Sequence, residues 1–285
     1  MSISSRIFVV GASGYIGKNL FERANTITTT FGTSSSGGQG LLRLRLDEPD
    51  DFNYQQINEG DSVILTAAIS SPDTCLREHD YAWSVNVTGT SRLISNVIKQ
   101  GGRVVFFSSD TVYGESKNEV DEKGPNKPAG EYAAMKHEVE QRFIGHPSFK
   151  TIRLSYVFSR EDKFTRYLNT CINQSRPAEL FHPFFRAIVH RDDVTAGTLA
   201  LVESWKDIPD AIINFGGPDV LSRLDFATHL QRTIWPHLQF SVSEPSTEFF
   251  QSRPRIIAMK SPIFAKLLGR SPRQLNDAIR IEFAL

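Results

Sequence analysis

The chain has 285 residues, 40% of them hydrophobic, and its 32 basic side chains are matched by 32 acidic ones. Such a composition is globular and long enough to bury a substantial core, and the zero formal charge gives no support for a nucleic-acid or membrane-surface partner. Two cysteines, Cys75 and Cys171, stand far apart without CxxC or histidine pairing, so neither a metal site nor a disulfide framework is suggested and a reducing compartment fits.

The first stretch, MSISSRIFVVGASG, carries one arginine and a short apolar run that leads straight into glycines, unlike a signal peptide. No segment approaches the roughly 18 uninterrupted apolar residues of a membrane span, so the expected setting is cytoplasmic, with no membrane partner. Strand-length apolar runs then recur: RIFVVGA (6–12), ITTTF (27–31), LLRLRL (41–46), SVILTAA (62–68), RVVFFSS (103–109) and TIRLSYVF (151–158). Between them lie helix-length segments at 15–24, 49–57, 82–100 and 130–140. Short β-branched runs alternating with helices predict βαβ units and a parallel sheet buried on both faces. After residue 158 the rhythm loosens into helical stretches near 162–174 and 193–204, a short strand at 211–217 and several proline-punctuated helices. The expected organisation is a domain over 1–158 and a smaller substrate-binding lobe over 159–285, woven into the same sheet.

The stretch FVVGASGYIGKNLF sets Gly11, Gly14 and Gly17 directly after the first strand and at the start of a helix. Gly11 permits a tight turn, Gly14 lets backbone amides approach a pyrophosphate at the positive helix N-terminus, and Gly17 lets the helix pack close to the sheet. In that context the glycines predict a dinucleotide site built on Gly11, Ser13, Gly14, Tyr15, Ile16 and Gly17, and a Rossmann-like doubly wound α/β fold. An acid roughly 20 residues further on would accept from the adenosine ribose hydroxyls. Here that stretch is FGTSSSGGQG, with no carboxylate between Glu22 and Asp47, and Thr33, Ser34 and Ser35 offer hydroxyls instead. NADP(H) is therefore favoured over NAD(H). Asp47, after the third strand, either contacts the adenine edge or caps the helix that follows. Ala67 and Ala68 are small residues at another strand end, where a cofactor can approach.

In GEYAAMKHEVE, Tyr132 and Lys136 lie four residues apart and so share a helix face. An ammonium beside a phenol favours the phenolate, although a shift of about 3 pKa units, roughly 4 kcal/mol, exceeds what one lysine supplies.

The ordered series GASGYIG (11–17), LTAA (65–68), SVNVTGT (84–90), FFSSDTVYGE (106–115), YAAMK (132–136), RLSYVF (153–158), VHRDDV (189–194) and INFGGPDVLSR (213–223) resembles the extended short-chain dehydrogenase/reductases that act on nucleotide sugars. The short C-terminal lobe, FFSSDTVYG and RPR (253–255) look most like the 4-dehydro-deoxysugar reductases typified by dTDP-4-dehydrorhamnose reductase. The resemblance implies NADPH-dependent reduction of a nucleotide-linked 4-keto-6-deoxysugar. Tyr132 would be the general acid, Lys136 would bind the nicotinamide ribose and lower the tyrosine pKa, and Ser109 would hold the carbonyl oxygen. Asp110 and Thr111 would touch the sugar. Asn86, Arg153, Asp192 and Asp193 match positions of mainly architectural role, and His182 and His190 either line the sugar pocket or, as favoured, pack the lobe. Dehydratases of this family carry Thr-Asp-Glu where this chain has Ser109, Asp110 and Thr111, which argues against dehydration. Two further readings are a nucleotide-sugar epimerase with tightly bound NAD and a non-catalytic, cofactor-binding regulatory subunit. A homodimer is implied by the resemblance alone.

Overall fold

The computed structural model describes Ile3 and residues 5–285. One wholly parallel seven-stranded sheet runs in the spatial order Ile212–Phe215, Phe149–Leu154, Arg103–Ser109, Ser62–Leu65, Ile7–Val10, Thr30–Ser34 and Leu42–Arg43. Its central strands read as unbroken apolar runs because both faces are covered. On one face, Leu20 and Ala24 of the helix Tyr15–Ala24 join Val194, Leu201 and Val202 of the helix Arg191–Glu203, with Phe215 stacked on Phe264 at 4.0 Å. The other face is closed by Leu93, Ile94 and Val97 of the helix Thr90–Lys99 and by Met135 and Val139 of the helix Gly130–Phe143.

The chain enters at the middle of the sheet, steps out to one edge, then returns to build the other side, so the order reverses between Ile7–Val10 and Ser62–Leu65. This is the doubly wound arrangement, and its ligand cleft lies beyond the carboxyl ends of those two strands. Among the described residues no helix is long and apolar enough to cross a membrane.

Several predicted elements are shorter or broken. The helix expected at 49–57 is two 3-10 turns, Pro49–Asp51 and Tyr54–Gln56, because the Asn53 side chain accepts from the Gln55 amide and restarts the chain there. The third strand narrows to Leu42–Arg43. The long helix expected at 82–100 is the helix His79–Trp83, a π-turn over Ser84–Gly89 and the helix Thr90–Lys99. Asn86 occupies that widened turn, and its carboxamide accepts from Ile69 N and donates to Ile69 O, both at 2.9 Å, which anchors the loop after Ser62–Leu65.

The smaller lobe holds a four-stranded sheet in the order Val220–Ser222, Phe185–Ala187, Ile256–Met259 and Ser116–Val120, over a core that includes Phe158, Phe164, Leu168 and Phe226. Chain crosses residue 158 in both directions, since Ser116–Val120 joins the lobe while Ile212–Phe215 edges the main sheet. Between the layers, Arg153 donates to Glu140 through Nε at 3.1 Å and a terminal nitrogen at 2.6 Å, with both side chains fully buried. Removing one partner leaves an uncompensated buried charge. Glu140→Ala is therefore expected to lower the unfolding free energy by about 3–5 kcal/mol. In urea titrations, Glu140→Leu combined with Arg153→Met should recover most of that loss, and equal destabilisation by both variants would contradict the account.

Candidate functional site

The glycine loop forms a cradle with no room for side chains. Gly11 has φ +91, and a Cβ added there would meet the Ala67 Cβ and Thr66 Oγ1 at 3.0 Å. A Cβ on Gly17 would lie 2.2 Å from the Gly11 carbonyl oxygen. Gly14 precedes the helix Tyr15–Ala24 without any side-chain cap, so the first-turn amides face the cleft with no intrahelical acceptor. Those features fit a pyrophosphate, with Ser13, Tyr15 and Ile16 on the same turn and Ala67, followed in the chain by Ala68, across from Gly11. Thr66, whose hydroxyl donates to Val10 O at 2.9 Å, completes the wall and had no distinctive signal in the sequence.

The ribose loop is arranged differently from expectation. Strand alternation turns Thr33 away from this edge, among Phe8, Val10, Leu44 and Phe52, where its hydroxyl is buried without a partner. Ser34 faces the loop and accepts from the Gly37 amide at 3.0 Å, and Ser35 is exposed. Asp47 lies outside the strand, and its carboxylate, paired with Arg45 at 2.5 Å, is held below its usual range by that guanidinium. It does not cap the next turn, whose N-cap is Glu48. Arg43 pairs in register with Ser34, and a Cβ on Gly37 would lie 3.1 Å from the Arg43 Cβ.

The helix Gly130–Phe143 brings Tyr132 and Lys136 to the strand that ends in Ser109. Lys136 is buried, donates to the Phe107 carbonyl at 2.7 Å, and stands 4.6 Å from the Phe106 ring centre and 5.7 Å from that of Tyr132. Burial pulls its ammonium down to about 8, against the upward pull of Glu140. The lowering of the tyrosine expected from Lys136 is reversed: desolvation pushes the Tyr132 phenol above its ordinary value, and Cys75 and Asp110 push the same way.

Ser109 Oγ accepts from the Thr111 amide at 3.2 Å and the Thr111 hydroxyl at 2.8 Å. Asp110 is buried at this strand end. It is 4% exposed, it accepts from Ser155 at 2.8 Å, and burial raises its carboxyl despite Arg186 at 3.7 Å. Arg186 and Ser155 passed unnoticed in the sequence, since nothing local marks a partner 76 or 45 positions away in the fold; only the tertiary pairing does. At the lobe surface Arg253 and Arg255 lie over Phe249 and Phe250 at 4.7 and 4.0 Å, and Arg253 reaches Asp73 at 2.7 Å. The remaining candidates are structural. Asp193 is buried and receives Arg270 and Arg273, while Asp192 accepts from Asn19 at 3.4 Å. His190 contacts Glu282 at 2.9 Å, and His182 packs edge-on against Phe185. Among the described residues no cluster of three or more metal-ligating side chains occurs.

The model of the NAD dependent epimerase/dehydratase family matches residues 7–216. The N-acetyl-alpha-D-glucosaminyl-diphospho-ditrans,octacis-undecaprenol 4-epimerase of Escherichia coli O157:H7 is 28% identical over 146 residues, covering 49% of this chain and 43% of that protein. The match thus spans less than half the length of that curated relative. The CDP-abequose synthase of Salmonella typhimurium is 23% identical over 254 residues, 81% of each chain. Among solved structures, a hypothetical dTDP-4-dehydrorhamnose reductase from Sulfolobus tokodaii superposes with a TM-score of 0.84 at 20% identity, over 96% of this chain and 98% of that one, a likeness of fold.

The depressed Lys136 carries a pH signature. From about pH 8, its folded-state value, up to the usual lysine value near 10.4, the unfolded chain binds more protons at this site than the folded one. Its contribution to stability should therefore rise with pH across that window, by up to about 3 kcal/mol. Urea unfolding of the wild type and Lys136→Met at a series of pH values should give curves that diverge there; parallel curves would refute the buried-ammonium geometry.

Proposed function

The chain belongs to the NAD dependent epimerase/dehydratase family, and from that premise we propose that it reduces the 4-keto group of a nucleotide-linked 6-deoxysugar, with NADPH as the reductant. The observation that carries this reading is the placement of Tyr132 and Lys136 on one helix face against the strand that ends in Ser109, where burial disfavours the phenolate and leaves the phenol as a proton donor. Reduction of a ketone needs such a donor, because hydride arrival leaves an alkoxide. Thr111 stands where dehydration would call for a carboxylate, and the one acid beside it, Asp110, is turned into the protein.

Gly11, Gly14 and Gly17 with the first-turn amides of Tyr15 and Ile16 would hold the cofactor pyrophosphate, and the bound dihydronicotinamide supplies the hydride. The chain's own residues handle the oxygen and the proton. Ser109 holds the carbonyl oxygen at the strand end, and Tyr132 transfers its phenolic proton to that oxygen. Lys136, tied to the Phe107 carbonyl, fixes the helix that carries Tyr132 and offers a cation beside the phenolate as it forms. Arg253 and Arg255, stacked on phenylalanine rings at the lobe surface, match the needs of a diphosphate and a flat base.

The NADP preference rests on Arg43. It is an exposed guanidinium on the strand Leu42–Arg43, beside Ser34 and next to a connecting loop without acids, with Glu48 at 3.6 Å as its loose counter-charge. The epimerase reading, favoured by the 28% identity to a 4-epimerase, predicts instead turnover on retained NAD with no net cofactor consumption.

Wild-type protein is expected to oxidise NADPH only when a nucleotide 4-keto sugar is added, and Tyr132→Phe should slow this by about two decades or more. Undiminished turnover in that variant would eliminate Tyr132 as the acid. In equilibrium binding by cofactor fluorescence, Arg43→Ala should weaken NADPH by about tenfold or more, the scale of a lost charge-assisted hydrogen bond, and leave NADH unchanged. Equal affinities of the wild type for the two cofactors would overturn the preference.

A further inference from the structure

Ser109 has one hydrogen and an oxygen with two lone pairs. Thr111 donates to that oxygen twice, from its amide at 3.2 Å and its hydroxyl at 2.8 Å, so both lone pairs are engaged. The hydrogen is directed at Asp110 Oδ1, 3.3 Å away. Asp110 in turn is held from two sides. Its other oxygen accepts from Ser155 Oγ at 2.8 Å, just beyond the strand Phe149–Leu154, and faces Arg186 Nε at 3.7 Å from the lobe strand Phe185–Ala187.

Arg186 is not a surface cation available to solvent. It is 7% exposed, its guanidinium lies 4.3 Å from the Phe184 ring centre, and one terminal nitrogen donates to the Phe185 carbonyl at 2.6 Å. A buried carboxylate next to a reactive hydroxyl is costly unless a cation stands opposite it. The lobe supplies that cation, and the carboxylate bridges it to the strand end where the carbonyl oxygen is to be held.

If Ser109 is to donate to a carbonyl oxygen, its single hydrogen is all it has to offer. The Asp110 contact, at 3.3 Å between adjacent residues, is long for a hydroxyl donor and is given up at small cost when a stronger acceptor arrives. We propose that Asp110 and Arg186 form a positioning pair that acts through Ser109. In this assignment, which rests on the reductase reading, the carboxylate paired with Arg186 holds the Ser109 hydroxyl in one resting rotamer until its hydrogen swings to the developing alkoxide. Neither member of the pair touches the substrate. Their arrangement makes seating of the lobe against the main sheet a condition for an oriented Ser109.

The test compares the wild type with Ser109→Ala, the pair variant Asp110→Leu with Arg186→Met, which removes the acceptor for Ser109 as well as both charges, and the triple variant. Removing both charges together avoids the unpaired buried ion that either single change would leave, and urea unfolding verifies that the pair variant folds. NADPH-dependent reduction of a nucleotide 4-keto sugar is the assay. The pair variant is expected to lose about tenfold or more in kcat, with KM and NADPH affinity within about twofold of wild type, as for loss of an oriented donor rather than of binding. In the Ser109→Ala background the same pair substitution should change kcat by less than about twofold, because the residue it acts through is gone. Full kcat in the folded pair variant, losses that multiply in the triple variant, or a loss confined to KM would each overturn the assignment. Absence of ketone-dependent oxidation in the wild type overturns the reductase reading and this pair's role with it, an outcome distinguishable from the others because it appears before any substitution is made.

Discussion

One interaction ties the site together: the Lys136 ammonium donating to the carbonyl of Phe107. A lysine with almost no exposure is costly to bury, and the bond to a strand carbonyl together with the Phe106 ring offsets part of that cost. In return it fixes the rotation of the helix Gly130–Phe143 against the strand Arg103–Ser109. Phe107 lies two residues before the end of that strand, so the bond that holds the helix there also fixes Tyr132 near the strand end that carries Ser109. One turn further along the helix, the buried Glu140–Arg153 pair clamps it to the neighbouring strand Phe149–Leu154.

Desolvation shapes the chemistry more than any single charge does. It lowers the lysine and raises the tyrosine, so two groups of nearly equal ordinary value are driven apart and the uncharged form of each is favoured. A tyrosine kept neutral is an acid in waiting, and a lysine near the neutral range can gain or give a proton without large cost. The pairing of Tyr132 and Lys136 then matters less as a means of making phenolate in advance than as a means of receiving it once the proton has left. Asp110 works in the same sense, since a carboxylate near the phenol penalises premature ionisation.

The elements most legible in the sequence are those with local physical causes. Gly11, Gly14 and Gly17 fall between an apolar strand and a helix, and each is required by a close backbone approach that any side chain would block. Unbroken apolar strands could only sit in a sheet covered on both faces. Legibility fails where a neighbour in the chain decides the outcome: Asn53 broke an expected helix into two turns, and alternation along Thr30–Ser34 turned Thr33 inward while Ser34 met the loop. Arg43 acquired meaning only when register set it beside Ser34.

By itself the sequence determined the doubly wound fold, the glycine cradle, the Tyr132–Lys136 face and the absence of an acid from the ribose loop, because spacing along a helix or strand is a property of the chain alone. Tertiary structure alone decided which groups surround those residues. The Asp110–Arg186 pair joins positions 76 residues apart, Ser155 reaches Asp110 across 45, and Arg253 meets Asp73 across 180. Desolvation, which sets the protonation of Tyr132 and Lys136, is likewise a property of packing: it depends on how many layers close over a group, and no local pattern of residues encodes that number.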